Sequence, residues 1–290
     1  MAFRNVIINE RCKLEYSMNY FVCRKANEEK KILIDEIKLV MINSTQVAIT
    51  SSLVSELSKK KVKIIFCDEL HNPECEVVSY QNNFYSYRRI KEQIEIVNDK
   101  FKDYVWKKIV CEKIINQANN LKVLGKKELY NQLLGYYNDV TEGDPTNREG
   151  HSAKVYFNGL FGLDFNRRED NKINKYLNYG YSILLSSINR EIKSYGYLTE
   201  LGIHHIGESN NFNLSCDFIE PLRPLVDYYV ITNKVNDENF KTVFIEMLTI
   251  NVTYKGKELF LDNAIHLYVL DLLEALKEKQ EKVNFISYEL

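Results

Sequence analysis

The sequence has 290 residues, of which 45% are apolar, so it is long enough to bury the core of one or two domains. Its 39 basic and 40 acidic side chains nearly cancel, which excludes a global charge that would draw the protein to nucleic acid or to an anionic membrane. No run reaches the roughly 20 apolar residues of a spanning helix, no secretory signal is visible and no C-x-x-C pair occurs, so we expect a cytoplasmic protein without a membrane partner.

Short apolar runs with a period of two residues begin the chain. They are RNVIINE, CKLEYS, YFVCRK, KILIDE and KLVMIN, within residues 4–43, and polar turns separate them. This alternation predicts β-strands. Residues 50–61 then predict a capped helix, and VKIIFCD at residues 62–68 predicts another strand.

From residue 82 onward the apolar period changes to about 3.6 residues, which is typical of amphipathic helices. Residues 84–121 predict one long helix, and further helices are predicted at residues 127–138, 147–161, 171–195, 216–232, 238–248 and 260–281. We therefore predict an α+β fold, with a small N-terminal β-rich domain over residues 1–78 and a larger all-α domain over residues 79–290. The boundary is expected within HNPECEVVSYQNN, residues 71–83.

Several familiar motifs are absent from the sequence. The phosphate-binding pattern G-x-x-x-x-G-K-[ST], the dinucleotide pattern G-x-G-x-x-G, the zinc pattern H-E-x-x-H and the EF-hand loop do not occur. The absence of these motifs argues against nucleotide hydrolysis and dinucleotide redox chemistry.

Acids and histidines concentrate in LGIHHIGESNNFNLSCDFIEPLRP, residues 201–224. Asp217 and Glu220 are three residues apart, which on a helix places their Cβ atoms about 5–6 Å apart on one face. With His205 nearby, the three side chains suit Mg²⁺ or Mn²⁺. Taken alone, the same spacing ahead of Pro221 is more often typical of a helix cap, and His204 or His205 could belong to the core.

A further acid lies in DPTNREGHSAKVYF, residues 144–157. Thr146 and Glu149 have the spacing of a capping box, so Glu149 could bond to the backbone at the start of its helix. The alternative is a third metal ligand, with Arg148 and Lys154 beside it to hold phosphates.

The order NREGHSAKVYF, then LGIHHIGESNNFNLSCDFIEPLRPLVD, resembles the integrase subunit of CRISPR spacer acquisition, and most of all that of type II-A systems. The resemblance covers essentially the whole chain and implies an N-terminal β domain that dimerises and a helical catalytic domain. It implies that Glu149, His205 and Glu220 are catalytic residues and ligands of Mg²⁺ or Mn²⁺, with Asp217 as a supporting acid.

The activity implied by the resemblance is the insertion of captured DNA fragments into a CRISPR array, through attack of a 3′-hydroxyl on a phosphodiester. The implied partners are double-stranded DNA, a second copy of the chain, and a small companion protein of ferredoxin-like fold that completes a heterohexamer. In type II-A systems it also implies contact with the large RNA-guided nuclease and a ring-shaped DNA-end-binding protein.

Basic residues near the motifs are the candidates for contact with DNA phosphates, namely Arg148, Lys154, Arg167, Arg168 and Arg223. Two other functions remain open at this point. One is a general metal-dependent nuclease that acts on branched DNA with the same ligands and water as nucleophile, and the other is a non-catalytic DNA-binding scaffold whose acids are helix caps.

Overall fold

A computed structural model describes residues 4–26, 28–69, 73–77, 79, 86–232 and 234–288. The chain divides into two compact units, residues 1–84 and residues 85–290. The domain boundary is predicted between residues 78 and 79. Residue 78 and residues 80–85 are outside the described residues. The roles predicted for the two domains stay predictions.

The first unit is rich in strands. The runs with a period of two form β1, β2, β3, β4 and β5, as predicted, and α1 and β7 follow where the sequence places a helix and a strand. The sequence analysis missed β6 and β8, which have three and four residues and are too short to show a period. The elements are β1 (Arg4–Ile8), β2 (Cys12–Ser17), β3 (Tyr20–Arg24), β4 (Glu29–Leu33), β5 (Ile37–Ile42), β6 (Val47–Ile49), α1 (Ser51–Lys59), β7 (Lys63–Cys67) and β8 (Pro73–Glu76).

These strands form two four-stranded sheets, with the orders β1-β5-β7-β8 and β4-β3-β2-β6. In the first sheet, β1, β5 and β7 are parallel and β8 is antiparallel. Leu14, Phe21, Val40 and Ile64 are buried in the core of this unit, together with Leu57 of α1. The hydroxyl of Thr50 caps α1 by accepting from the N–H of Leu53 at 3.4 Å.

The second unit is mostly helical, and the α+β class is confirmed. No helix in the described ranges is long and apolar enough to cross a membrane. The helices are α2 (Ser86–Asn98), α3 (Phe101–Val123), α4 (Lys127–Asp139), α5 (Arg148–Phe161), α6 (Lys172–Ser194), α7 (Asn213–Ile219), α8 (Arg223–Ile231), α9 (Phe240–Glu246) and α10 (Leu261–Glu278).

The expectation of an all-α second domain is wrong at one place. The strands β9 (Asn251–Tyr254) and β10 (Lys257–Phe260) form an antiparallel hairpin between α9 and α10. Lys255 and Gly256 make its two-residue turn, both with positive φ (49° and 73°), as a tight hairpin of the favoured twist requires.

Two predicted helices are interrupted. In place of the one helix predicted over residues 84–121, the described residues from Ser86 onward form α2 and α3. The carboxylate of Asp99 accepts from the N–H of Phe101 at 2.8 Å, and α3 starts anew at this point. Residues 216–232 form α7, a 3₁₀ turn at Glu220–Leu222 and α8. Pro221 and Pro224 lack the N–H groups that would bond to the carbonyls four residues earlier, so a continuous α-helix cannot form there.

Close packing around Gly180 of α6 gives a stability test. A Cβ atom at this position would lie 2.5 Å from Cγ1 of Val226 and 2.9 Å from Cε1 of Phe244. We expect Gly180→Ala to lower the free energy of unfolding by roughly 1–3 kcal/mol through overpacking, although alanine favours helix by about 1 kcal/mol. Urea unfolding measures this change. Gly135→Ala in α4 is the control, because nothing lies within 4 Å of its added Cβ, and it should stabilise.

Candidate metal centre

The centre of the candidate site is a lysine on the buried face of α3. Lys113 is only 6% exposed. Its ammonium group donates to the carboxylate of Glu149 in the first turn of α5 and to that of Glu220 in the 3₁₀ turn. The two acids therefore face a single cation.

Helix α3 also fixes the backbone that carries Glu220. The side-chain amide of Asn116 donates to the carbonyl of Pro221 at 2.9 Å, and that of Asn120 donates to the carbonyl of Pro224 at 2.8 Å. These amides hold the proline-containing turn against α3, which keeps the carboxylate of Glu220 next to Lys113.

The start of α5 leaves the carboxylate of Glu149 available. Asn147, with φ of 51°, caps the helix by accepting from the N–H of Gly150 at 3.1 Å. Both oxygens of Asp144 accept from the N–H groups of Arg148 and Glu149, each at 2.8 Å. The caps are thus Asn147 and Asp144, and the Glu149 side chain turns to Lys113 instead of back to its own backbone.

Opposing charges dominate the electrostatics of Glu220. Arg223 donates through Nε to Oε1 of Glu220 at 2.7 Å, while Lys113 donates to Oε2. Burial by itself would raise the pKa of Glu220, but the charges of Arg223 and Lys113 lower it to about 2. Burial would also lower the pKa of Lys113, but the charges of Glu220 and Glu149 raise it. Both groups are therefore ionised at neutral pH.

Asp217 organises the loop that carries the histidines. Although it lies in α7 and is fully buried, its carboxylate accepts from the backbone N–H groups of Ile203, His204 and His205 at 2.7, 3.2 and 3.0 Å. Its Oδ1 also contacts Nδ1 of His205 at 2.6 Å. Asp217 is thus not a cap of its own helix but the anchor of a loop.

This anchor fixes the orientation of His205. A proton on Nδ1, donated to Asp217, leaves Nε2 with a free lone pair for a ligand. The hydrogen bond to Asp217 raises the pKa of His205, against the effect of burial. Trp106 of α3 packs edge-on against His205. It also stacks on His204, with the centroids of these two rings 4.0 Å apart.

Gly202 permits the close approach of this loop to α7. A Cβ atom there would lie 2.3 Å from the carbonyl oxygen of His205 and 2.8 Å from Oδ2 of Asp217. Any larger residue would therefore displace the chain that carries the histidine.

The donor set suits a divalent cation in part. Glu149 and Glu220 offer hard oxygen donors around a position that a cationic ammonium group already occupies. Among the described residues, however, no three His, Cys, Asp or Glu side chains are grouped closely enough to hold a metal ion. Two of the three predicted ligands, Glu149 and Glu220, thus contact the ammonium group of Lys113. The third, His205, contacts Asp217 through Nδ1.

Three of the predicted DNA-contacting arginines are engaged within the protein. Arg223 donates to Glu220 and lies over the ring of Tyr181, with its guanidinium carbon 4.7 Å from the centroid. Arg148 lies 3.7 Å from Asp139. Arg167 donates to the side chains of two asparagines of α6, Asn174 and Asn178.

The other two candidates, Lys154 of α5 and Arg168 in the loop before α6, are exposed. Lys154 lies on the helix that begins with Glu149, and Arg168 follows the anchored Arg167. These two side chains are the more accessible to a phosphate.

The sequence analysis missed Lys113, although a signal exists. Every fourth residue of α3 from Val105 to Leu121 is buried, and Lys113 is one of these five. A lysine in an apolar stripe requires a buried partner of opposite charge. Nothing in the sequence indicates which acids provide it.

The supporting layer behind Arg223 was missed as well. The hydroxyl of Tyr181 donates to Asp227, which is 1% exposed. Burial raises the pKa of Asp227 to about 6. This pair holds the ring on which the guanidinium of Arg223 lies.

The chain is thus an α+β protein with a strand-rich unit followed by a helical unit. In the helical unit, two carboxylates pair with one buried lysine. The family described as CRISPR associated protein Cas1 matches residues 6–263. The CRISPR-associated endonuclease Cas1 of Neisseria meningitidis serogroup C (strain 8013) is 33% identical over 231 residues, which are 80% of this chain and 76% of the relative. The chain therefore belongs to the Cas1 family, as the sequence motifs predict.

Solved structures share the fold. A casposase bound to integration product superposes with a TM-score of 0.79 at 21% identity, over 97% of this chain and 92% of the other. A Cas6-RT-Cas1–Cas2 complex superposes with a TM-score of 0.77 at 18% identity, over 99% of this chain and 36% of the other. The chain thus corresponds to about a third of that longer protein.

Replacement of Asp217 tests the anchoring of the loop. In Asp217→Asn the hydrogen bond that raises the pKa of His205 is weakened while burial remains, so we expect this pKa to fall. The free energy of unfolding should also fall by about 1–3 kcal/mol, because the loop N–H groups lose a charged acceptor. Histidine-ring NMR titration in EDTA measures the pKa, and an unchanged value for His205 would contradict the assignment.

Replacement of Glu220 tests the buried charges. Since the pKa of Glu220 is lowered from 4.5 to about 2, its ionised form contributes stability above pH 4.5, and that contribution is lost as the pH falls toward 2. We expect Glu220→Gln to destabilise most at neutral pH and to approach the wild type as the pH falls. Urea unfolding in EDTA from neutral pH to acid measures the difference, with exposed Glu128→Gln as control. A difference that does not vary with pH would refute the charge pairing.

Proposed function

We propose that this chain is a metal-dependent DNA integrase and endonuclease that inserts captured foreign DNA fragments as new spacers into a CRISPR array. The observation that carries the proposal is the convergence of Glu149 and Glu220 on one cationic group. Membership of the Cas1 family supports it, as does the structural similarity to a casposase bound to integration product.

In this proposal Mg²⁺ or Mn²⁺ is held by Glu149, Glu220 and His205. When bound, the metal lowers the pKa of an attacking 3′-hydroxyl and neutralises charge that develops on the phosphate. One phosphodiester replaces another in such a transesterification, so no nucleotide hydrolysis is needed. The absence of a phosphate-binding loop motif in the sequence agrees with this reaction.

The protein's own side chains prepare the site. Asp217 keeps the proton of His205 on Nδ1, so that Nε2 can act as a metal ligand. Arg223 fixes one oxygen of Glu220, while the ring of Tyr181 fixes Arg223. Since these supports are packed before substrate arrives, Asp217, Tyr181 and Arg223 themselves need little reorganisation when DNA binds.

Contacts with DNA phosphates position the substrate in this proposal, and the exposed Lys154 and Arg168 are the first candidates. The further proposed partners are a second copy of the chain, through the strand-rich unit, and a small companion protein. The superposition on a Cas6-RT-Cas1–Cas2 complex supports a companion. Because the substrate is the cell's own array, the proposed place of action is the cytoplasm.

Strand transfer tests the proposal. The substrate is a labelled branched DNA that mimics a half-integrated product, incubated with the protein in Mn²⁺ or in EDTA. We expect metal-dependent rejoining of strands by the wild type, and a loss of at least about 100-fold in Glu220→Gln, which is the scale of losing a charge-stabilising group. Glu128→Gln is the matched control, as it removes an exposed carboxylate of α4.

The products and the binding data separate the alternatives. Cleavage without rejoining would favour a general nuclease that uses water as nucleophile. Retention of DNA affinity in Glu220→Gln, with both proteins measured in EDTA, is expected together with loss of activity in Mn²⁺, because phosphate contacts elsewhere hold the duplex. An equal loss of affinity and activity would argue against a catalytic role for Glu220.

A further inference from the structure

Lys113 contacts both acids of the candidate site and is the one cation that they share among the described residues. It donates to Oε1 of Glu149 and to Oε2 of Glu220, while Arg223 donates to the other oxygen of Glu220. Both oxygens of Glu220 are therefore engaged by cationic groups. A divalent ion that binds Glu220 therefore meets the positive charge of one or both of them.

The two cationic groups differ in their surroundings and in how many acids they contact. Arg223 lies over the ring of Tyr181, and its planar guanidinium cannot turn away without losing that contact. Lys113 ends a flexible four-carbon stem, and its departure would free one oxygen on each acid at the same time. Lys113 is therefore the one of these two cations whose displacement would make both acids available to a divalent ion.

Charge balance leads to the same result. Glu149 and Glu220 carry two negative charges, and Lys113 and Arg223 carry two positive charges, so the cluster is neutral in the metal-free protein. A divalent ion added beside a retained Lys113 would leave four positive charges against two negative ones. Repulsion of this kind is stronger at a partly buried site than in bulk water.

We infer that Lys113 is an internal counter-ion that holds Glu149 and Glu220 together in the metal-free protein, competes with the divalent ion for them, and moves to a phosphate of bound DNA. The inference rests on the proposed function. It makes Lys113 a positioning residue in the metal-free state and a phosphate contact in the DNA complex. Because coupling between two ligands is reciprocal, DNA that accepts the ammonium group raises the affinity for metal, and metal raises the affinity for DNA.

Calorimetric titration of the whole protein with Mn²⁺ tests the competition. We expect Lys113→Met to bind Mn²⁺ at least about tenfold more tightly than the wild type, which corresponds to about 1.4 kcal/mol. Lys122→Met is the matched control, because it removes an exposed lysine from the same helix and should leave the affinity unchanged. Structural damage would weaken binding, so a gain in affinity cannot come from misfolding.

A second titration tests the link to DNA. In the presence of a short duplex of random sequence, and after subtraction of Mn²⁺ binding to the duplex alone, the wild-type affinity should rise toward that of Lys113→Met. The variant itself should respond little to the duplex. Lys113→Gln repeats both measurements with a neutral polar side chain, and thermal unfolding in EDTA verifies that each variant is folded.

The outcomes separate the inference from the proposed function. If the wild type binds Mn²⁺ and Glu220→Gln does not, while folded Lys113→Met or Lys113→Gln binds no more tightly than the wild type, the metal site stands and the competition is overturned. A wild type that gains no affinity in the presence of the duplex overturns the movement to phosphate. If neither the wild type nor the lysine variants bind Mn²⁺, both the inference and the metal site are wrong.

Discussion

The second unit depends on a buried lysine that requires negative charge around it. A desolvated ammonium group without partners is costly, so Lys113 favours only those arrangements of α3, α5 and the turn before α8 that bring two carboxylates to it. Those elements are the ones that carry Glu149 and Glu220. The requirement of one charge thus sets the positions of two acids that lie 71 residues apart in the sequence, and the rest of the site is arranged around them.

Around this centre, the contacts of each acidic side chain determine its role. Asp217 is fully buried and serves backbone N–H groups and an imidazole, so it organises a loop. Asp227 is buried against tyrosines and supports Arg223 indirectly. Glu149 and Glu220 face a cation. Of these four carboxylates, only Glu149 and Glu220 contact Lys113, and the proposed metal ion would bind this pair.

The sequence predicts much of the fold and only part of the site. Alternating apolar residues predict β1 to β5 and β7, because one face of each sheet is buried and the period of a strand is two. The spacing of Asp217 and Glu220 alone favoured a helix cap over metal binding, and only the tertiary contacts show that Asp217 anchors a loop. Lys113 was missed because a stripe of buried positions identifies a face of a helix but not the groups that pack on it.

The separation of these groups along the chain also has a consequence for folding. Lys113 and Glu220 are 107 residues apart, and Lys113 and Glu149 are 36 apart, so neither contact forms from local structure. Contacts between distant residues form only after the intervening chain has closed, and they form slowly. A nascent or partly unfolded chain therefore has its acids dispersed, and the ability to act on DNA arises only with the completed tertiary structure.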